Sequence, residues 1–176
     1  MDAPVTTLPQ RLKLETHALH ARAERSGVMA DLLAGRISRE AYVALLANLH
    51  AIYAALESAL DDATRPARFD ALARTAALAC DLRSFQGGPN PGAELAPATL
   101  DYVARLRNLR GPRAHRLWAH VYVRYLGDLH GGQVLSRLVR GLFASPAAAA
   151  GTRFYDFGSD AEVRALRGAL RGDLAS

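Results

Sequence analysis

The sequence predicts an all-α fold: a single compact domain over residues 1–176, built of about seven helices. Three features predict it. Alanine (35) and leucine (27) make up over a third of the 176 residues, whereas valine, isoleucine and threonine together number 18. β-branched side chains favour pleated strands, while alanine and leucine favour helix. Apolar residues recur at three- and four-residue spacings, the period of a helix with one buried face. A chain of this length can bury one real core.

The elements follow in order. A first helix runs from Leu8 to Arg25, with Thr7 as a cap and Pro9 tolerated in the first turn. Ser26-Gly27 interrupts it, and a short helix from Val28 to Ala34 stops at Gly35. Ser38 starts a third, long helix with Tyr42, Leu45, Leu46, Leu49, Ile52, Tyr53, Leu56 and Leu60 as its buried stripe. A fourth covers Ala67 to Phe85, and Gln86 to Gly92 is a loop rich in glycine and proline. A fifth runs from Ala98 to Leu109 and ends at Gly111-Pro112. A sixth is expected over Pro112 to Phe143, with Gly127, Gly131 and Gly132 in its middle. Each interior glycine costs about 0.5–1 kcal/mol relative to alanine. The expectation there is a kinked helix with a bare face. A connector, Ser145 to Gly151, and the aromatic cluster Phe154 to Phe157 lead to a last helix, Asp160 to Arg171.

Composition excludes several classes of function. A lone cysteine, Cys80, rules out an internal disulfide and a multi-cysteine metal site. The uncharged stretch Ala41 to Leu56 is too short and too polar to span a membrane. The N-terminus MDAPVTTLPQ lacks a signal pattern, so a cytoplasmic protein is expected. The net charge of +5 predicts attraction to anions, but no helix-turn-helix or stacking pattern accompanies it, and nucleic acid is not expected.

Three groups of residues carry candidate chemistry. Glycines let a flat or bulky molecule reach the backbone at contact distance; taken alone, they are better explained by close helix–helix packing through small residues. Asp128 adjoins these glycines, either as an exposed carboxylate or as an acid–base group beside a ligand. His20 and Glu24, at i and i+4, share a helix face, which suits an imidazole ligand that gives its other N–H to a carboxylate. His17, three residues before His20, is the alternative ligand. Lys13 lies two turns before His20, and Arg164, Arg167 and Arg171 recur on the last helix, as a solvated basic face or as counter-charges for a dianion. One histidine ligand, a bare helix face and a basic rim suit a flat dicarboxylate cofactor such as haem.

The wording of two segments then matters. Ala119 to Leu135 reads AHVYVRYLGDLHGGQVL. It resembles the distal-helix signature of biliverdin-producing haem oxygenases, A-H-x-Y-x-R-Y-L-G-D-x-x-G-G, at every fixed position. Leu12 to Glu24 is similar to that family's proximal helix, with the H-x-x-A-E element at His20, Ala23 and Glu24. The resemblance runs from Leu8 to Leu174 and is weakest between Ala63 and Pro97.

The resemblance implies a haem oxygenase-like fold, with haem between a proximal first helix and a glycine-kinked distal helix. Haem would be both cofactor and substrate. His20 would be the iron ligand and Glu24 its partner. Gly127, Gly131 and Gly132 would lie against the distal haem face, and Asp128 would hold the water network that supplies protons. Lys13, Tyr122, Arg167 and Arg171 would meet the propionates, and Met29 would line the apolar pocket. Molecular oxygen and external electrons would convert haem to biliverdin, carbon monoxide and ferrous iron. An acidic ferredoxin-like or flavoprotein donor would dock on Arg105, Arg107, Arg110, Arg113 and Arg116. The product could supply a bilin-accepting phytochrome. The absence of a C-terminal apolar anchor points to the soluble bacterial type.

His130 departs from the family pattern, in which serine is common at this position. It keeps a second reading open, a haem carrier or sensor with two axial histidines. A third, a thiamin-pyrimidine hydrolase on a related helical fold, would need an active cysteine or an acidic cluster in the bundle centre, and Cys80 lies outside both motifs.

Overall fold

The computed structural model describes residues 8–60, 65–86, 94–143 and 151–174. The expected cap Thr7, the loop over 87–92 and the connector over 145–150 lie outside the described residues. Among those described, every regular element is helical.

Helix α3 (Arg39–Ala59) is the organising element. Ser38 caps it by accepting the Ala41 N–H at 3.1 Å. Its buried residues are Tyr42, Leu46, Ile52, Tyr53, Ala55, Leu56 and Ala59; of the stripe that the spacing predicts, Leu45 and Leu49 are only half-buried and Leu60 is buried just past the helix end. That stripe packs on α5 (Thr75–Gln86) and α6 (Pro97–Arg107). Aromatic edges lock the layers together: Tyr42 meets Phe85 at a centroid distance of 5.1 Å, and Tyr53 meets Tyr125 at 5.7 Å.

Helix α1 (Leu8–Glu24) packs on α2 (Gly27–Leu33), and α2 in turn packs on α3 and on the distal helix. None of the α1 side chains described is buried, and Leu14 and Leu19 are 72% and 58% exposed.

Two segments differ from expectation. The fourth helix is split: α4 is a single turn, Phe69–Leu72, and the chain breaks at Ala73 and Arg74 before α5. Arg68 enters that turn with a left-handed φ of 62°. The break is imposed from outside. Glu57 of α3 accepts the Arg74 N–H at 2.6 Å and the Thr75 N–H at 3.3 Å, so it caps α5 in place of a fourth continuous turn. The sixth segment is continuous but irregular. It begins as a 3₁₀ stretch, Gly111–Arg116, becomes α7 (Leu117–Val121), widens into a π turn at Tyr122–Leu126 and continues as α8 (Gly127–Phe143). The irregularity thus lies just before the glycines, which themselves sit in regular helix.

The last helix, α9 (Asp160–Asp173), opens with a full capping box between Ser159 and Glu162. It buries Val163, Leu166 and Leu170 and packs on the π turn. No described helix is long and apolar enough to cross a membrane.

Candidate functional site

The π turn sets the register of everything beyond it. One extra residue per turn there carries Tyr125 and Leu126 into the core and leaves Asp128, in the first turn of α8, half-buried beside α3. The Tyr53 hydroxyl of α3 donates a hydrogen bond to Asp128 Oδ2. Burial pushes the Asp128 carboxyl up to about 7, against the opposing pull of the Tyr53 hydrogen bond and of the Arg124 and Arg74 charges. A carboxyl titrating near neutrality can both hold and release a proton.

A polar framework supports this pair. The Tyr125 hydroxyl donates to Glu57 Oε1 at 3.3 Å, the same carboxylate that caps α5. Arg74 is buried, donates to Asp156 O at 2.7 Å and to Ala71 O at 2.9 Å, and lies 4.0 Å from the Phe157 ring centroid. The Arg124 guanidinium stands 5.6 Å from the Tyr102 ring centroid, and the Tyr102 hydroxyl pairs with His120 Nδ1 at 2.8 Å. Burial, then the charges of Arg105 and Arg124, hold His120 below the ordinary imidazole range.

Beside Asp128 the helix is bare. A Cβ built on Gly127 or on Gly131 would meet nothing within 4 Å, so no described neighbour uses the closeness that these glycines allow. Gly132 behaves differently. It is buried, and its Cβ would sit 3.5 Å from Tyr155 O. The expectation that all three glycines share an open face is therefore corrected. Five residues on from Gly127 is about 140° round the helix, which turns Gly132 into the packed side. Helix packing explains Gly132; it does not explain Gly127 or Gly131.

On α1, His20 Nδ1 lies 3.5 Å from Glu24 Oε1, with the two side chains 66% and 51% exposed. That pairing engages Nδ1 and leaves Nε2 as the nitrogen that a metal would take. Lys13 is exposed on the same helix, and Met29 on α2 is half-buried against the core. Tyr122 is half-buried within the π turn. Arg167 is half-buried, and its Nε is a buried donor with no hydrogen-bond partner, so an acceptor is missing there. Arg171 is exposed and reaches His130 Nε2 at 3.4 Å. His130 Nδ1 is 2.6 Å from Leu126 O, so both imidazole nitrogens are engaged and neither is offered to an iron.

Sequence reading singled out Asp128 but treated Tyr53 only as core. Its place one turn from Glu57 on the α3 stripe was the available signal: a tyrosine at a buried position needs a partner for its hydroxyl. Arg124, inside the signature, was likewise the one charged residue on a half-buried turn.

These residues fit a flat dianion carrying an iron: an exposed imidazole on α1, a cradle over Gly127 and Gly131 that a Cβ would fill, and an orphaned arginine donor.

The sequence model of the family described as Heme oxygenase matches residues 6–168. The chain is 37% identical to rat heme oxygenase 1 over 90% of its own length and 57% of the relative's. It is 38% identical to heme oxygenase 2 of Synechocystis over 88% of its own length and 64% of the relative's. The chain thus spans about three fifths of the length of these curated relatives. Its fold matches the structure of heme oxygenase from Leptospira interrogans with a TM-score of 0.87 and 30% identity, covering 97% of this chain and 85% of that one. It also matches the Synechocystis heme oxygenase-2 crystal structure, a complex with heme and NO, at a TM-score of 0.82 and 34% identity over 96% and 72% of the two chains.

Proposed function

The chain belongs to the haem oxygenase family, and from that premise we propose that it binds haem between α1 and α8 and cleaves it at a meso carbon. The products are biliverdin, carbon monoxide and ferrous iron. The observation that carries this reading is the bare strip at Gly127 and Gly131, open to 4 Å and bordered by a carboxyl that titrates near 7.

Bound haem supplies the iron at which oxygen is reduced, with electrons from an external donor. The chain's own residues supply the rest. His20 Nε2 is the proposed iron ligand, and Glu24 holds its Nδ1 proton and so fixes the ring's tautomer. Gly127 and Gly131 give the room that any side chain would take away. Asp128 holds a proton beside that room, and Tyr53 fixes the orientation of its carboxyl. Lys13, Arg167 and Arg171 are the proposed counter-charges for the two propionates, with Tyr122 and Met29 at the pocket's edge and Gly132 behind it.

Arg105, Arg107, Arg110, Arg113 and Arg116 are all exposed. They form the proposed docking face for an acidic ferredoxin-like or flavoprotein donor. A cytoplasmic location suits such a donor and the free Cys80 thiol. A bilin-accepting phytochrome is a fitting consumer of the product.

The test is to add haem and then ascorbate or a reductase system in air. Loss of the Soret band with growth of bilin absorption and release of carbon monoxide is the expected result. A stable Soret band under reducing turnover conditions would sink the proposal.

A further inference from the structure

We propose that His130 is a positioning residue: it holds the Arg171 guanidinium at the edge of the bare Gly127 and Gly131 strip, and so fixes which side of a flat ligand carries its carboxylates. The inference rests on the haem reading above and deepens it.

The argument begins with what each partner can do. His130 Nδ1 lies 2.6 Å from Leu126 O, and a carbonyl can only accept, so Nδ1 carries the proton. Nε2 then presents its lone pair, and the group 3.4 Å away is Arg171 Nη2, which can only donate. Two partners with one role each select a single neutral tautomer. Serine or alanine at this position could not reach from the Leu126 carbonyl to α9.

Helix geometry says where that clamp stands. Relative to Gly127, Gly131 is about 40° round the helix, Asp128 about 100° one way and His130 about 60° the other. The strip is therefore flanked by a carboxyl on one side and an imidazole-held cation on the opposite side. Burial follows the same division: Asp128 is half-buried toward α3, whereas His130 is exposed toward α9.

A second donor points to the same place. Arg167 lies one turn before Arg171 on α9, and its buried Nε lacks a partner. Two arginines at i and i+4 repel each other unless an anion neutralises them. A ligand carboxylate meeting Arg167 and Arg171 puts the opposite edge of the ligand on the Asp128 side of the strip.

The experiment adds ferric haem to the wild type, His130→Ala, His130→Gln, Arg171→Ala and the double alanine variant. Haem methyl resonances are read by proton NMR, and biliverdin isomers are read separately after turnover. The wild type is expected to give one dominant set of methyl resonances. His130→Ala and Arg171→Ala should each raise a second, rotated set by roughly threefold to tenfold relative to the first. The double variant should go no further than either single one, because the two residues act as one unit. Glutamine keeps one donor and one acceptor and should restore the single set. An unchanged single set in both alanine variants, or effects that add in the double variant, would overturn the inference. Failure of the wild type to bind haem at all is a different result and would defeat the haem reading beneath it.

Discussion

Helices α1 and α8 are built in opposite ways. Helix α1 carries His20, Glu24 and Lys13 on side chains that are all exposed, and its one functional pairing is local, between residues four apart. Helix α8 carries Asp128 at the end of a framework that draws on α3, α5 and the π turn, with Tyr53, Glu57, Arg74, Arg124 and Tyr125 all contributing. One wall of the proposed site is thus finished by the protein core. The other leaves two large apolar side chains, Leu14 and Leu19, exposed. Ligation and stability should therefore be separable on α1 and inseparable around α8.

The largest effect expected is on α1. His20→Ala should remove the strong proximal bond and abolish turnover, and added imidazole should partly restore it. Loss of a partner behind a metal ligand costs about 10–100-fold; loss of the ligand itself should exceed that. The unfolding free energy of the haem-free chain should stay within about 0.5 kcal/mol of wild type, as for other exposed positions. Chemical denaturation alongside haem titration reads both. A large loss of haem-free stability would break the comparison, and a retained histidine-ligated spectrum would transfer the ligand role to His17.

The framework behind α8 should respond in the reverse sense. Arg74→Ala leaves the Leu72 and Phe154 carbonyls without their donor in a buried place and removes the guanidinium from the Phe157 ring. A loss of about 3 kcal/mol or more in the haem-free chain is expected, because each buried unsatisfied group costs about 1–3 kcal/mol. Whatever still folds should keep its His20 ligation. A stability loss under about 1 kcal/mol would mean that the framework is less cooperative than its hydrogen bonds imply.

These two regions were also unequally legible in the sequence. The α3 stripe, the helix start at Ser38 and the His20–Glu24 pairing depend on residues close together in the chain, and periodicity and spacing reveal them. The break at Arg74 depends on Glu57 of another helix and on carbonyls near Asp156, so no local pattern marks it. The π turn contains neither glycine nor proline, and the nearby glycines drew the expected kink a few residues too far along. Tyr53 sat at a core position with nothing local to show that its hydroxyl meets Asp128. The open face was assigned to three glycines because spacing alone does not say which side of a helix is packed.

Acid titration gives a smaller, signed test of the finished wall. Burial raises the folded-state value of Asp128 from 3.8 to about 7, so the folded chain holds a proton that the unfolded chain has released between those pH values. By linkage, this group's contribution to stability is full below about pH 4, falls as pH rises toward 7 and is flat beyond. Asp128→Asn should therefore lessen the decline in denaturation midpoint over that window. Tyr53→Phe removes a hydrogen bond that lowers the carboxyl, so it should extend the window upward. Identical pH profiles for wild type and Asp128→Asn would show that the carboxyl is better solvated than its burial suggests.

The smallest expected effect is the sharpest on the strip itself, because it has opposite signs in two assays. Gly127 and Gly131 lie in regular helix, and a Cβ at either meets nothing within 4 Å. Alanine at each should stabilise the haem-free chain by about 0.5–1 kcal/mol through helix propensity alone. The same methyl stands where the haem face is proposed to lie, so haem affinity and turnover should fall in both variants. Gly132→Ala is the control. Its Cβ would make an ordinary contact 3.5 Å from Tyr155 O on the packed side, so haem binding should be nearly unchanged. If Gly132→Ala weakens haem binding more than Gly131→Ala does, the ligand lies on the other flank of α8. If Gly127→Ala and Gly131→Ala destabilise the haem-free chain, a requirement of the protein's own backbone, and not room for a ligand, keeps glycine at these positions.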